Sequence, residues 1–175
     1  MAKGQVWIET VVYTLIGLGL IGLVLAFATP KINEYRDRAV VDQTIQSLNV
    51  IDSKINEVLQ APLNTRVVEY TLKRGTLTFN AINESISYLL EDSHVIYSEP
   101  GEPTSIGRIE ILTGEGDKTR AINLTLSYNF NFDYENNLTN RVYTSATTPY
   151  RFSFEHRGFT FDGKPIIFFR ELSGA

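Results

Sequence analysis

The chain has 175 residues, 43% of them hydrophobic, with no cysteine and a net charge of −4. That length holds one globular domain beside an N-terminal segment, and the apolar share is too high for a disordered chain. The acidic balance, with no basic run, argues against nucleic acid as a partner, and the lack of cysteine excludes disulfides and thiolate metal sites.

The first element is the stretch from Met1 to Ala28. It opens with Met-Ala-Lys-Gly, carries one acid at Glu9, and has no charge from Val11 to Ala28. Eighteen such residues make a helix of about 27 Å, close to the least that crosses a bilayer core. Lys3 precedes the run, and Lys31, Arg36 and Arg38 follow it. A secretory signal peptide would use Ala26-Phe27-Ala28 as its cleavage site but would want a longer basic region. A plain single-pass anchor explains the apolar run and leaves Glu9 without a purpose. A carboxylate at the rim of an apolar segment costs free energy unless a cation meets it. A cut after Gly4 would give Gln5 a new α-amino group four residues before Glu9, on the same helix face.

Lys3-Gly4-Gln5, an acid at Glu9 and an apolar helix in register resemble the class III signal peptide of type IV pilin-like proteins. The resemblance covers about the first quarter of the chain. It implies that a prepilin peptidase cuts after Gly4, that Gln5 is the mature N-terminus, and that the kept apolar helix builds a filament core with Glu9 as its charged residue. The Lys-Gly-Gln start and the missing disulfide loop are closer to archaeal than to bacterial pilins. In archaeal pilin-like filaments, glycan decoration is common.

Residues 5–62 read as one long helix, apolar over 5–29, after a leader of residues 1–4. Gly17, Gly19 and Gly22 lower its helix propensity but let other helices approach closely. Pro30 removes a backbone donor, so a kink or an interruption is expected near Phe27. Beyond it Val41, Ile45, Leu48, Ile51, Ile55, Val58 and Leu59 form one stripe, with Asp42, Gln46, Asn49, Ser53, Asn56 and Gln60 opposite. This is the pattern of a helix packed on a domain, and Pro62 ends it.

From Arg66 the period changes to two, and residues 63–175 are expected to form a β-rich head. Val68, Tyr70 and Leu72, then Arg74-Gly75, then Leu77 and Phe79 read as a hairpin. Ile86, Tyr88 and Leu90 give a strand; Ser98–Gly107, with Pro100, Gly101 and Pro103, reads as a loop; a short strand spans 108–112. The strongest signal is the alternation from Ile122 to Tyr134, thirteen residues read as a single strand. A loop is expected at 135–149 and a strand at Phe152 and Phe154. Turns follow at Arg157-Gly158 and Asp162-Gly163, then a doubly covered strand at Pro165–Phe169. The fold class is therefore α+β: a long N-terminal helix followed by seven to nine antiparallel strands in a sheet or sandwich.

No residue pattern points to catalysis or to a cofactor. There is no phosphate-binding glycine loop and no nucleophile elbow. His94 and His156 lack a metal-ligand spacing and are expected on the surface or in loops. Glu91-Asp92 and Glu115-Gly116-Asp117 are expected in turns, without the ligand ladder of a calcium loop. Asn83, Asn123 and Asn137 each begin an N-x-Ser/Thr sequence and are candidate glycan acceptors. The expected function is a structural pilin subunit: membrane-embedded as a precursor, then part of an extracellular filament, with copies of itself and a prepilin peptidase as partners. The competing reading is a single-pass, membrane-anchored extracytoplasmic binding module that does not polymerise.

Overall fold

The computed structural model describes residues 2–134 and 140–172, with side chains from residue 7 onward. One long helix, α1 (Ala2–Leu59), is followed by a β head, so the protein is α+β. The helix continues through Pro30 without interruption. It ends as expected before Pro62, where the amides of Gln60 and Ala61 still bond back to Asn56 and Val58. The chain divides into two compact units after Arg36. The second unit contains the last part of α1 and all the strands.

The head has ten strands: β1 (Thr65–Tyr70), β2 (Thr76–Asn80), β3 (Ser85–Ser93), β4 (Pro103–Ile106), β5 (Ile109–Thr113), β6 (Arg120–Ser127), β7 (Asn131–Tyr134), β8 (Arg141–Thr144), β9 (Tyr150–Phe159) and β10 (Pro165–Glu171). They form a six-stranded sheet, β4-β5-β6-β3-β2-β8, and a four-stranded sheet, β1-β9-β10-β7. All pairs are antiparallel except β10 with β7, which run parallel. The inner faces meet around Phe79 of β2. Its ring stacks on Phe169 at 4.1 Å and meets Phe152 and Phe132 edge-on at 5.2 and 6.3 Å. The predicted stripe of α1 enters the same core: Val41, Leu48, Ile51, Ile55 and Val58 are fully buried. Each buried side chain of this size stabilises the fold by about 1.5–3 kcal/mol. Thr44 stands beside the hydroxyls of Tyr70 and Tyr88, and Asp52 reaches Arg108 at the start of β5.

Several expectations for the head are corrected. Residues 66–79 do not form a hairpin: β1 pairs with β9, and β2 pairs with β3 and β8. Gly75 is held at φ +82, and a Cβ there would lie 2.6 Å from the Tyr88 hydroxyl and the Leu89 carbonyl oxygen. The glycine serves this close approach to β3 and not a tight turn between neighbours. The thirteen-residue strand is two strands, because the chain crosses from one sheet to the other at Tyr128–Phe130. Pro103–Ile106 and Arg141–Thr144 are strands inside stretches read as loops. No turn forms at Arg157-Gly158, since β9 runs on to Phe159; the turn lies at Thr160–Lys164, where the amides of Thr160 and Gly163 close it. Glu91 and Asp92 belong to β3, with Asp92 at φ +51 where the β3–β6 register shifts.

The doubly covered strand is present. Ile167 and Phe169 face the core, while Phe168 on the other side is buried with the guanidinium of Arg157 3.3 Å from its ring centre. A cation over an aromatic face is held there by the ring quadrupole, and the stem of the side chain covers apolar surface.

Candidate assembly segment

The residues singled out for processing and assembly lie in the first unit. Gly4 and Gln5 are within α1, so the helix spans the proposed cut. Glu9 is exposed, and no side chain among the described residues forms an ion pair with it. Around it the apolar side chains are uncovered: Trp7, Tyr13, Leu20, Val24 and Phe27 are all exposed, Phe27 at 74%. An 18-residue window here has a mean hydropathy of 2.4 and is not buried at all. By length and composition α1 can cross a membrane as an anchor or a signal. Thr14 and Thr29 each bond back to the carbonyl four residues earlier, at 2.8 and 2.7 Å, so their hydroxyls are satisfied inside the helix. That removes the polar cost such groups would meet in hydrocarbon.

A Cβ added at Gly17, Gly19 or Gly22 would meet nothing within 4 Å. At 100° per residue Gly19 and Gly22 stand about 60° apart round the helix, and Gly17 about 140–160° from both. The three therefore offer close approach on two sides of the helix, not along one seam.

The second unit holds the last part of α1 by three acids, Asp37, Asp42 and Asp52, none of which the sequence marked as a tether. Asp37, 2% exposed, accepts the His94 amide at 2.7 Å and contacts His94 Nδ1 at 3.0 Å and the Arg74 guanidinium. Burial alone would raise its pKa, but the His94 and Arg74 bonds outweigh burial and hold the carboxyl below the ordinary aspartate value. Arg74 also donates to the Asp92 carbonyl at 3.0 Å, and its own carbonyl accepts the Tyr88 hydroxyl at 2.9 Å. Asp42 takes the Tyr97 hydroxyl, whose pKa is raised by burial and by that carboxylate. Asp52 takes Arg108 at 2.7 Å and Asn56 at 3.2 Å. Asp42 was read as a solvated residue and is a tether. Asp37, four residues before Val41, and Asp52, four residues after Leu48, fall within the apolar stripe itself, and the only signal in the sequence was an acid at those positions.

An open groove of about 350 Å³ lies beside this cluster, lined by Arg74, Thr76, Leu89, Asp92, Thr144 and Ser145. Among the described residues no three potential ligands converge on a metal position. His94 is part of the Asp37 cluster. His156 is a correction: it is fully buried in β9, with Nε2 3.0 Å from the Gly158 carbonyl and its ring against Phe159.

Of the glycan candidates, Asn83 is exposed in the β2–β3 turn, where its amide bonds the Asn80 side chain. Asn123 lies half-exposed on the outward face of β6, between Leu89 and Leu112. Asn137 lies outside the described residues. No protein-family model, curated protein or solved structure matches the chain.

Proposed function

We propose that the protein is a structural subunit of a type IV pilus-like filament: cut after Gly4, polymerised through the helix from Gln5 onward, and displaying the β head outside the cell. The observation that carries this reading is Glu9 at the rim of a fully exposed apolar helix. Such a segment needs a surrounding, and its carboxylate needs a cation. A bilayer supplies the first and not the second. The free amine of Gln5, in the same chain or in a neighbour, supplies the second. Glycines on two sides of the helix suit a subunit packed among several copies better than one packed in a pair.

Electron microscopy of the cell surface tests this reading through Gly4. Replacing Gly4 with a bulky residue is expected to leave the full-length chain in the membrane and to remove the filaments. Filaments formed normally by that variant would contradict it.

A further inference from the structure

The first turns of the head-bound part of α1 are gripped by side chains alone. Among the described residues, no backbone hydrogen bond joins residues 37–59 of α1 to a strand. Asp37 meets Arg74 of the β1–β2 connection and His94 of the β3–β4 connection. Tyr97, in the same connection as His94, bonds Asp42 and holds the Arg38 guanidinium 5.7 Å from its ring centre. Arg74, His94 and Tyr97 thus form one clasp on residues 37–42. Farther along, Leu48, Ile51, Ile55 and Val58 are fully buried, and apolar burial holds that part of the helix.

The clasp is anchored without the helix. The amides of Tyr97 and Ser98 donate to the Thr113 hydroxyl at 3.3 and 2.9 Å, and the Thr113 amide donates to the Ser98 hydroxyl at 2.9 Å. The Arg74 carbonyl accepts the Tyr88 hydroxyl, and the Leu72 carbonyl accepts the Ala146 amide at 2.9 Å. Residues 37–42, for their part, keep their own helical ladder. Parting the two breaks side-chain contacts and uncovers one fully buried apolar residue, Val41. The Arg74 and His94 side chains are 42% and 37% exposed, so water can take over their bonds. Local openings of this kind lie below global unfolding in free energy.

From this we infer that residues 37–42 form an acid-released latch: they part from the clasp of Arg74, His94 and Tyr97 while residues 45–58 stay packed, which adds about 9 Å of helix to the exposed segment. Charge supplies the release. Asp37 is faced by His94, Arg74 and Tyr88, and Asp42 by Tyr97 with Arg38 beside it. A protonated Asp37 no longer pairs with the Arg74 charge, and that contact drops to an ordinary hydrogen bond. Burial opposes the charged form, but the His94 and Arg74 bonds outweigh it and hold the carboxyl below its ordinary value. The latch is therefore closed above the unfolded aspartate value of about 4 and opens as pH falls through the lower folded value. It works whether or not the subunits polymerise.

The chain has no cysteine, so single ones report the opening. Val41→Cys and Leu48→Cys are each placed in the full chain in a lipid nanodisc and labelled with a dithiopyridine, which reacts with thiols in acid as well as at neutral pH. Both side chains are fully buried, so both sites should react slowly at neutral pH. Adding Asp37→Asn at neutral pH, or acidifying the chain with Asp37 intact, should raise the rate at 41 relative to that at 48 about tenfold, as loss of one charge-assisted contact would. Trypsin reads the same opening in the cysteine-free chain, whether or not Val41→Cys folds. Asp37→Asn should speed cleavage after Arg38 relative to cleavage after Lys54. Unchanged ratios, or rates at 41 and 48 that rise together, would overturn the inference. The second result would mean that the head loosens as one body.

Discussion

The exposed helix of residues 7–36 and the head from residue 37 handle apolar surface in opposite ways. In the head, each stripe residue from Val41 to Val58 is covered by the chain's own sheets. In the first unit, the large apolar side chains from Trp7 to Phe27 are exposed, with no cover from the other described residues. The head carries its stability within itself, while the first unit depends on what surrounds it. The same contrast holds for charge: Asp37, Asp42 and Asp52 have partners in the head, and Glu9 has no ion-pair partner among the described residues.

The largest effect that would sharpen this contrast is expected at Phe79, whose ring meets Phe132, Tyr143, Phe152, Phe154 and Phe169. Phe79→Ala should destabilise the head by about 3–5 kcal/mol, read as a fall in the urea midpoint. Next is Asp37→Ala, which strips Arg74 and the His94 amide of their acceptor and should cost about 1–3 kcal/mol at pH 7. The sign with pH follows from its lowered pKa. The stabilisation is present above the unfolded aspartate value of about 4 and is lost as pH falls through the lower folded value. Urea midpoints of wild type and Asp37→Ala should therefore converge on acidification. A gap that persists at pH 2 would show that Asp37 acts through packing and not charge.

At the other extreme, Phe27→Ala should leave the urea midpoint of the head unchanged within about 0.5 kcal/mol, because its ring touches no core. A larger shift would break the comparison by making the first unit part of the fold. Glu9→Ala should likewise spare the head while reducing filaments counted per cell at equal membrane levels of the protein. Unchanged filament number would remove Glu9 from assembly.

How much of this was legible in the sequence depended on the range of each interaction. The α1 stripe was legible, because helix period and burial are local: Val41, Ile45, Leu48, Ile51, Ile55 and Val58 are all buried as read. The alternation through residues 122–134 was legible as burial and misleading as topology. Tyr128, Phe130 and Phe132 all face the one core between the sheets, so the pattern continues while the chain changes sheet. The hairpin at 66–79 failed for a similar reason. β1 satisfies its ladder with β9, far along the chain, and alternation does not name a partner. His156 looked like a surface residue because its type is polar; its burial follows from an inward position in β9, the same alternation that buries Phe152 and Phe154. The acid tethers were illegible because each joins residues more than thirty positions apart.

The most direct test of the central claim is the intact mass of the protein recovered from the cell surface. A chain lacking only Met1–Gly4, beginning at Gln5 and retaining the whole apolar helix, is the predicted result. A chain that begins at Met1, or one cut beyond Ala28, would contradict it.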